Sequence, residues 1–241
     1  METLHPRTQT GIGVVVPHDM ALDRELWRWT PDDVSLRLTR TPRSQLDVNA
    51  EMIARISESD LVAAAAGDLV STEPSVFAYA CTSGSFIRGV SGERALTQAM
   101  QHAGAPAAVT TSGAVREGLT RLGVSRVAIA TPYDEQLTAL LGDFLVEGGI
   151  RLVGSAQLGL SNDIWKVPYE TTAALIREAD VPEAQAVVVS CTNLPTYDLI
   201  APLEAELGKP VVTANQATMW ASLRILRRFA VGPGQRLLEV A

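Results

Sequence analysis

The chain contains two cysteines, Cys81 and Cys191, and they stand in similar settings. Cys81 closes the apolar run of "AYACTSGS" (Ala78–Ser85), and Cys191 closes that of "VVSCTNLP" (Val188–Pro195). Each is followed by threonine. A thiolate is both a nucleophile and a carbon base, provided its pKa is brought down towards neutrality. Loops that lead from a strand towards a helix present backbone N–H groups, which favour anions. The sequence therefore predicts a lowered pKa for at least one thiol. The same donors, with the side chains of Thr82, Ser83, Thr192 and Asn193, suit a substrate carboxylate. Two thiols flanking such a substrate could exchange protons at the carbon beside the carboxylate, one removing and the other delivering. The blander reading of either cysteine alone is a small buried hydrophobe. Their matched placement weighs against it.

Other chemistries fit less well. Two thiols without a CxxC or HxxxH spacing cannot supply four zinc ligands, so no metal is expected. His5 lies in the N-terminal tail and His102 near a helix end, which leaves His18, after the first apolar run, as the one histidine near a cleft. "GIGVVVP" is not GxGxxG, "SGSFIRG" lacks the Lys-Ser/Thr of a phosphate loop, and GxSxG is absent. Position adds further candidates. Pro17, His18 and Asp19 end the first strand, Thr131, Pro132 and Tyr133 the fifth, and Ser161 and Asn162 follow "QLGL". Tyr133 offers a hydroxyl to a carboxylate, or is an ordinary aromatic at a helix start. Asp19 is an awkward neighbour for an anion, or a cap for the next segment.

The elements that must position these groups are legible as short β-branched runs alternating with amphipathic stretches. Strands are predicted at Gly11–Pro17, Ser35–Thr41, Ser75–Cys81 and Ala105–Thr111, with helices over Val48–Leu69 and Ser91–Gly104. From Ser112 the grammar repeats: "RVAIATP", "IRLVGSAQLG", "AQAVVVSC" and "PVVTA" are strands separated by helices. "NQATMWASLRILRRF" is a C-terminal helix. Strand–helix alternation implies parallel sheets. The predicted fold is α/β with two pseudo-symmetric halves, each a four-stranded parallel sheet flanked by helices. Residues 11–112 with 215–241 form one half and 113–214 the other. Ligands of such sheets bind beyond the carboxyl ends of the strands. Both cysteines sit at such ends, which makes them opposite walls of one cleft.

Bulk properties narrow the partners. The 241 residues carry a net charge of −7, are 46% hydrophobic and have a mean hydropathy of +0.13. No basic run with interleaved aromatics is present, so nucleic acid is not an expected partner. No stretch of about 18 apolar residues predicts a membrane span. "METLHPRTQTG" lacks a signal peptide's apolar core, and the first ten residues read as a frayed tail. A cytoplasmic protein with reduced cysteines is expected. Trp27, Trp29 and the C-terminal helix serve either the core or an interface in a homo-oligomer.

Five stretches carry a family resemblance: "VVVP", "YACTSGSFIRG", "TTSGAVREGLTRLGVSRVAIATPY", "VVSCTNLPTYDLIAPLEAELGKPVV" and "GPGQRLL". Together they resemble the maleate cis–trans isomerase and arylmalonate decarboxylase group of the aspartate/glutamate racemase superfamily. "HDMALDRELW" and "CTSGS" are also similar to ectoine-utilisation proteins of that group. The resemblance implies no cofactor and no metal. It implies Cys81 as the nucleophile that adds to a maleate-type double bond and Cys191 as the acid/base. A substrate pocket is implied at Pro17, Asp19, Thr82, Ser83, Tyr133, Asn162, Thr192 and Asn193. The decarboxylases keep only the second cysteine, so this chain resembles the isomerases and racemases more. Where the isomerases have Ser-Ser-Asn after the first-strand proline, this chain has His18-Asp19-Met20. A carboxylate there disfavours a dicarboxylate and suits a substrate with an ammonium or hydroxyl group. The expected activity is cofactor-independent cis–trans isomerisation of a small unsaturated dicarboxylate. The alternatives are a racemase or decarboxylase acting through an enediolate, and a non-catalytic carboxylate-binding accessory protein.

Overall fold

Runs of valine, isoleucine and alanine build the centres of two sheets. The computed structural model describes residues 9–44 and 49–240. Its first sheet holds β1 (Thr10–Val16), β2 (Val34–Arg40), β3 (Val76–Tyr79) and β4 (Ala108–Thr110), in the order β2-β1-β3-β4. Its second holds β5 (Arg126–Thr131), β6 (Arg151–Gln157), β7 (Ala186–Val189) and β8 (Val211–Thr213), in the order β6-β5-β7-β8. All pairings are parallel. β1, β3, β5 and β7 are buried along nearly their whole length, as strands covered on both faces must be. The outer strands β2 and β6 carry partly exposed residues.

The helices are α1 (Asp23–Arg28), α2 (Ala50–Ile56), α3 (Ser59–Val70), α4 (Thr82–Phe86), α5 (Gly89–His102), α6 (Thr111–Arg121), α7 (Glu135–Glu147), α8 (Tyr169–Ala179), α9 (Ile200–Leu207) and α10 (Ala214–Ile225). The predicted two-half α/β architecture is the one observed. In both sheets the strand order reverses between the first and third strands, so the crevice opens where β1 meets β3 and where β5 meets β7. α10 starts with a capping box between Thr213 and Gln216, is buried from Ala214 to Leu223, and packs on α6, β3 and β4. The chain thus returns from the second sheet to the first. A shared core runs between the halves, joining Phe86 and Ile53 to Tyr133, Val188 and Trp220.

Several expectations are corrected. The single helix over Val48–Leu69 is two, α2 and α3, and Val48 lies outside the described residues. The break falls where the Ser57 hydroxyl donates back to the Ile53 carbonyl at 2.8 Å, competing with continuation of the helix. α1 and α4 are additional. Of the predicted frayed tail, residues 1–8 lie outside the described residues, but Thr10 opens β1 and donates its N–H to the Asp33 carbonyl at 3.0 Å. Trp29 is fully buried and its indole N–H bonds Gln235, whereas Trp27 is partly exposed. Among the described residues no helix is long and apolar enough to cross a membrane, and no cluster of three His, Cys, Asp or Glu could hold a metal ion.

Candidate active site

Cys81 and Cys191 line one narrow cavity of about 30 Å³ between the two sheets. Cys81 follows β3 in extended conformation and caps α4, its Sγ accepting the Gly84 N–H at 3.3 Å. Gly84 is required there, because a Cβ would come within 2.3 Å of Tyr79 Oη and 3.0 Å of Cys81 Sγ. Tyr79 precedes Cys81 by two positions, so both side chains leave the same face; its hydroxyl lies near the thiol and donates to the Ile56 carbonyl at 3.5 Å. The Ser85 hydroxyl fixes the turn by donating to the Cys81 carbonyl at 2.7 Å.

Cys191 follows β7 and has a φ of +85°, in the left-handed region. A residue with a Cβ pays about 1–3 kcal/mol to stay there, and such strain gathers at functional positions. Its Sγ accepts the Asn193 N–H at 3.4 Å and lies near the Tyr133 hydroxyl. The Ser190 hydroxyl in turn donates to Tyr133 Oη at 3.3 Å. Each thiol therefore has one backbone N–H donor and one phenol nearby.

The rest of the wall comes from both halves: Pro17, Asp19, Met20, Thr82, Ser83, Tyr133, Thr192 and Asn193, with Met52, Ile53, Ile56 and Ile164. Seven of the eight sequence-predicted binding residues are among these. Asn162 is not: it is exposed, and its side chain meets Ser161 at 3.5 Å, while Ile164 occupies the wall nearby. His18 is half-buried beside the cavity rather than in its wall. Thr82 Oγ1 is buried without a hydrogen-bond partner, so it is free for a ligand. Asn193 is otherwise engaged. Its Oδ1 accepts the Ala21 N–H at 2.8 Å and its Nδ2 donates to the Asp19 carbonyl at 3.1 Å, which ties the loop after β1 to the second half. Sequence reasoning missed the apolar wall and Tyr79. The i, i+1, i+4 spacing of Met52, Ile53 and Ile56 signals a buried helix face, but nothing local says that the face covers a cleft.

The expected lowering of a thiol pKa is overturned. Burial pushes Cys81 from 9.0 to about 11 and Cys191 from 9.0 to about 12. The N–H groups of Gly84 and Asn193 favour the thiolates, but less than desolvation opposes them. The nearby Asp19 carboxylate disfavours both thiolates further, and among the described residues no cation lines the wall to offset it. Burial and the two thiols likewise push Tyr133 well above its ordinary value.

A family profile described as arylmalonate decarboxylase matches residues 50–238. The chain belongs to the arylmalonate decarboxylase family. Within that family it is 37% identical to the arylmalonate decarboxylase of Bordetella bronchiseptica over 150 residues, 60% of this chain and 62% of that protein. The chain thus spans about three-fifths of the length of that curated relative. A liganded arylmalonate decarboxylase variant, in which one glycine is changed to cysteine and one cysteine to serine, superposes with a TM-score of 0.87 at 31% identity. That match covers 95% of this chain and 98% of the other. A cysteine-to-serine variant of the Nocardia farcinica maleate cis–trans isomerase, carrying a covalently bound succinylcysteine intermediate, matches with a TM-score of 0.86 at 26% identity. It covers 95% of this chain and 98% of that one. The chain is thus similar to proteins of both kinds that its sequence resembles.

Proposed function

We propose that this chain is a cofactor-independent isomerase of a small carboxylic acid, with Cys81 and Cys191 reacting from opposite walls of the cavity. The observation that carries the reading is the placement of both thiols, each backed by a phenol and a backbone N–H, in one space. The reactive pair holds one proton between two sulfurs. The Cys81 thiolate adds to one carbon of the double bond, and the electron pair moves to the other carbon, which takes the proton of the Cys191 thiol. The new single bond rotates. The Cys191 thiolate then removes the proton and the C–S bond breaks, returning its pair to Cys81. The orphan Thr82 hydroxyl and the neighbouring Ser83 hold the carboxylate. The succinylcysteine of the Nocardia isomerase supports thiol addition as a route open to this architecture. Raised thiol pKa values keep the resting pair doubly protonated at neutral pH, so turnover rises with pH above neutrality.

A second reading rests on the wall. Met20, Met52, Ile53, Ile56 and Ile164 are apolar, and Asp19 is the one carboxylate there among the described residues. A second substrate carboxylate has no cation to meet. That favours an acid that keeps one carboxylate on the Thr82–Ser83 donors and turns an apolar or cationic substituent to the rest of the wall: either an α-substituted acid that is racemised, or an arylmalonate whose other carboxylate leaves as CO2, each through an enediolate that Cys191 protonates. Incubation with maleate, followed by proton NMR, tests the first reading: fumarate supports it. Deuterium appearing at the α-carbon of amino or arylmalonic acids, with no fumarate from maleate, transfers the assignment to the second. Thermal stabilisation by carboxylates without turnover or exchange sinks both.

A further inference from the structure

One buried carboxylate stands outside the cavity wall and ties the two halves together. Glu25, on α1, is 7% exposed. Its Oε1 accepts the backbone N–H groups of Thr196 and Tyr197, each at 2.7 Å. Its Oε2 accepts Nδ2 of Asn215, at the start of α10, at 2.7 Å. The same Nδ2 donates to the Thr192 carbonyl at 2.9 Å. Thr192 is bonded to Cys191, the residue with the left-handed φ.

We propose that Glu25 is a positioning residue that clamps both ends of the 192–197 segment, directly at Thr196 and Tyr197 and through Asn215 at Thr192, and so holds the Cys191 thiol against the Tyr133 hydroxyl. A carboxylate suits the place because it accepts from three donors and brings no hydrogen of its own. An amide at position 25 turns an NH₂ towards the Asn215 amide or the backbone N–H groups. A buried carboxylate without a contacting cation is expensive to keep. Arg28, one turn along α1, is hydrogen-bonded to Asp198 and not to Glu25. Left-handed backbone at a residue with a Cβ persists where its surroundings over-determine it. The clamp supplies that restraint from the first half, and Asn193 supplies a second from its bonds to Asp19 and Ala21.

The clamp matters to catalysis only if Cys191 reacts, so the inference rests on the proposed function. Its test does not need turnover. Asn215→Ala leaves the Glu25 bonds to Thr196 and Tyr197 but cuts the link to Thr192, and Glu25→Gln perturbs both. Site-resolved alkylation by iodoacetamide at pH 9, read by peptide mass spectrometry, should rise at least fivefold at Cys191 in both variants. Cys81 should stay within twofold. If maleate is converted, kcat falls at least tenfold while KM stays within threefold, because the Thr82–Ser83 donors are untouched. An unchanged ratio of the two alkylation rates in a folded variant, or an equal change at both thiols, overturns the assignment and leaves a merely structural carboxylate. Hydrogen exchange of the unmodified protein covers the case in which neither variant folds. The Thr196 and Tyr197 amides should exchange as slowly as the strand cores, and loop-like exchange there overturns the clamp. Failure to convert maleate with an intact alkylation result removes the proposed function and not the clamp.

Discussion

Carrying the protein from pH 7 to pH 11 should expose its two thiols to reagent much later than those of an unfolded chain. Burial moves Cys81 to about 11 and Cys191 to about 12, from 9.0. Each pH unit below the pKa is a factor of ten in thiolate. At pH 8 the thiolate of Cys81 is therefore about 100-fold, and that of Cys191 about 1,000-fold, scarcer than in a free cysteine. Iodoacetamide reacts with the thiolate, so its rate at each site reports this population. The assay is alkylation at fixed times across the pH range, quantified per cysteine by peptide mass spectrometry, with urea-unfolded chain as reference. The logarithm of the native rate should climb with unit slope through pH 10 at both sites, with Cys191 below Cys81. The unfolded chain should flatten near pH 9. Restricted access lowers both native curves without moving their bends, so slope separates titration from shielding. A native plateau at or below pH 9 at either cysteine would refute the reasoning, since the Gly84 or Asn193 N–H would then outweigh desolvation. Asp19→Asn is the internal control. It removes a charge that disfavours both thiolates, so both curves should move to lower pH together.

Cys81→Ser should abolish turnover yet bind small carboxylates within about threefold of the unmodified protein by calorimetry, because Thr82 and Ser83 remain; equal loss of binding would deny Cys81 a chemical role. Tyr133→Phe should lower stability by about 1–3 kcal/mol, since it leaves the buried Ser190 hydroxyl without its acceptor. At about 2–4 °C per kcal/mol for a chain of this size, a melting temperature reads it, and an unshifted one would deny the bond. Alkaline stability follows from the sign of the thiol shifts. The folded state keeps protons that the unfolded chain releases at pH 9.0, so this contribution is complete below pH 9 and is lost as pH rises through about 11 for Cys81 and about 12 for Cys191. Urea midpoints of a Cys81→Ser, Cys191→Ser double variant should therefore fall less between pH 9 and pH 11 than those of the unmodified protein, and parallel declines would count against the shifts.

The architecture was readable in the sequence because its central strands are unbroken apolar runs and its cavity-lining residues sit where those runs stop. Ile12–Val16, Val76–Tyr79 and Ala186–Val189 declare themselves, and Pro17, Cys81, Tyr133 and Cys191 are simply what comes next. α1 and α4 escaped because six and five residues give too little periodicity, and α4 is capped by a thiol rather than by an ordinary capping side chain. The thiol pKa values escaped for a different reason. A loop's own N–H groups are visible in its sequence, and they argue for a thiolate. The groups that dry the site, Met20 from the loop after β1 and Met52, Ile53 and Ile56 from α2, belong to other parts of the chain. Asn193 and Glu25 make the same point. In the sequence Asn193 reads as a donor to the substrate and Glu25 carries no local signal, yet both find their partners across the two halves. Local sequence therefore pointed to the two thiols, while their proton affinity was decided by contacts between the halves. In a site built at such a junction, the substrate must be inferred from the opposing wall as much as from the thiols, and here the described residues of that wall set two methionines and three isoleucines beside one carboxylate.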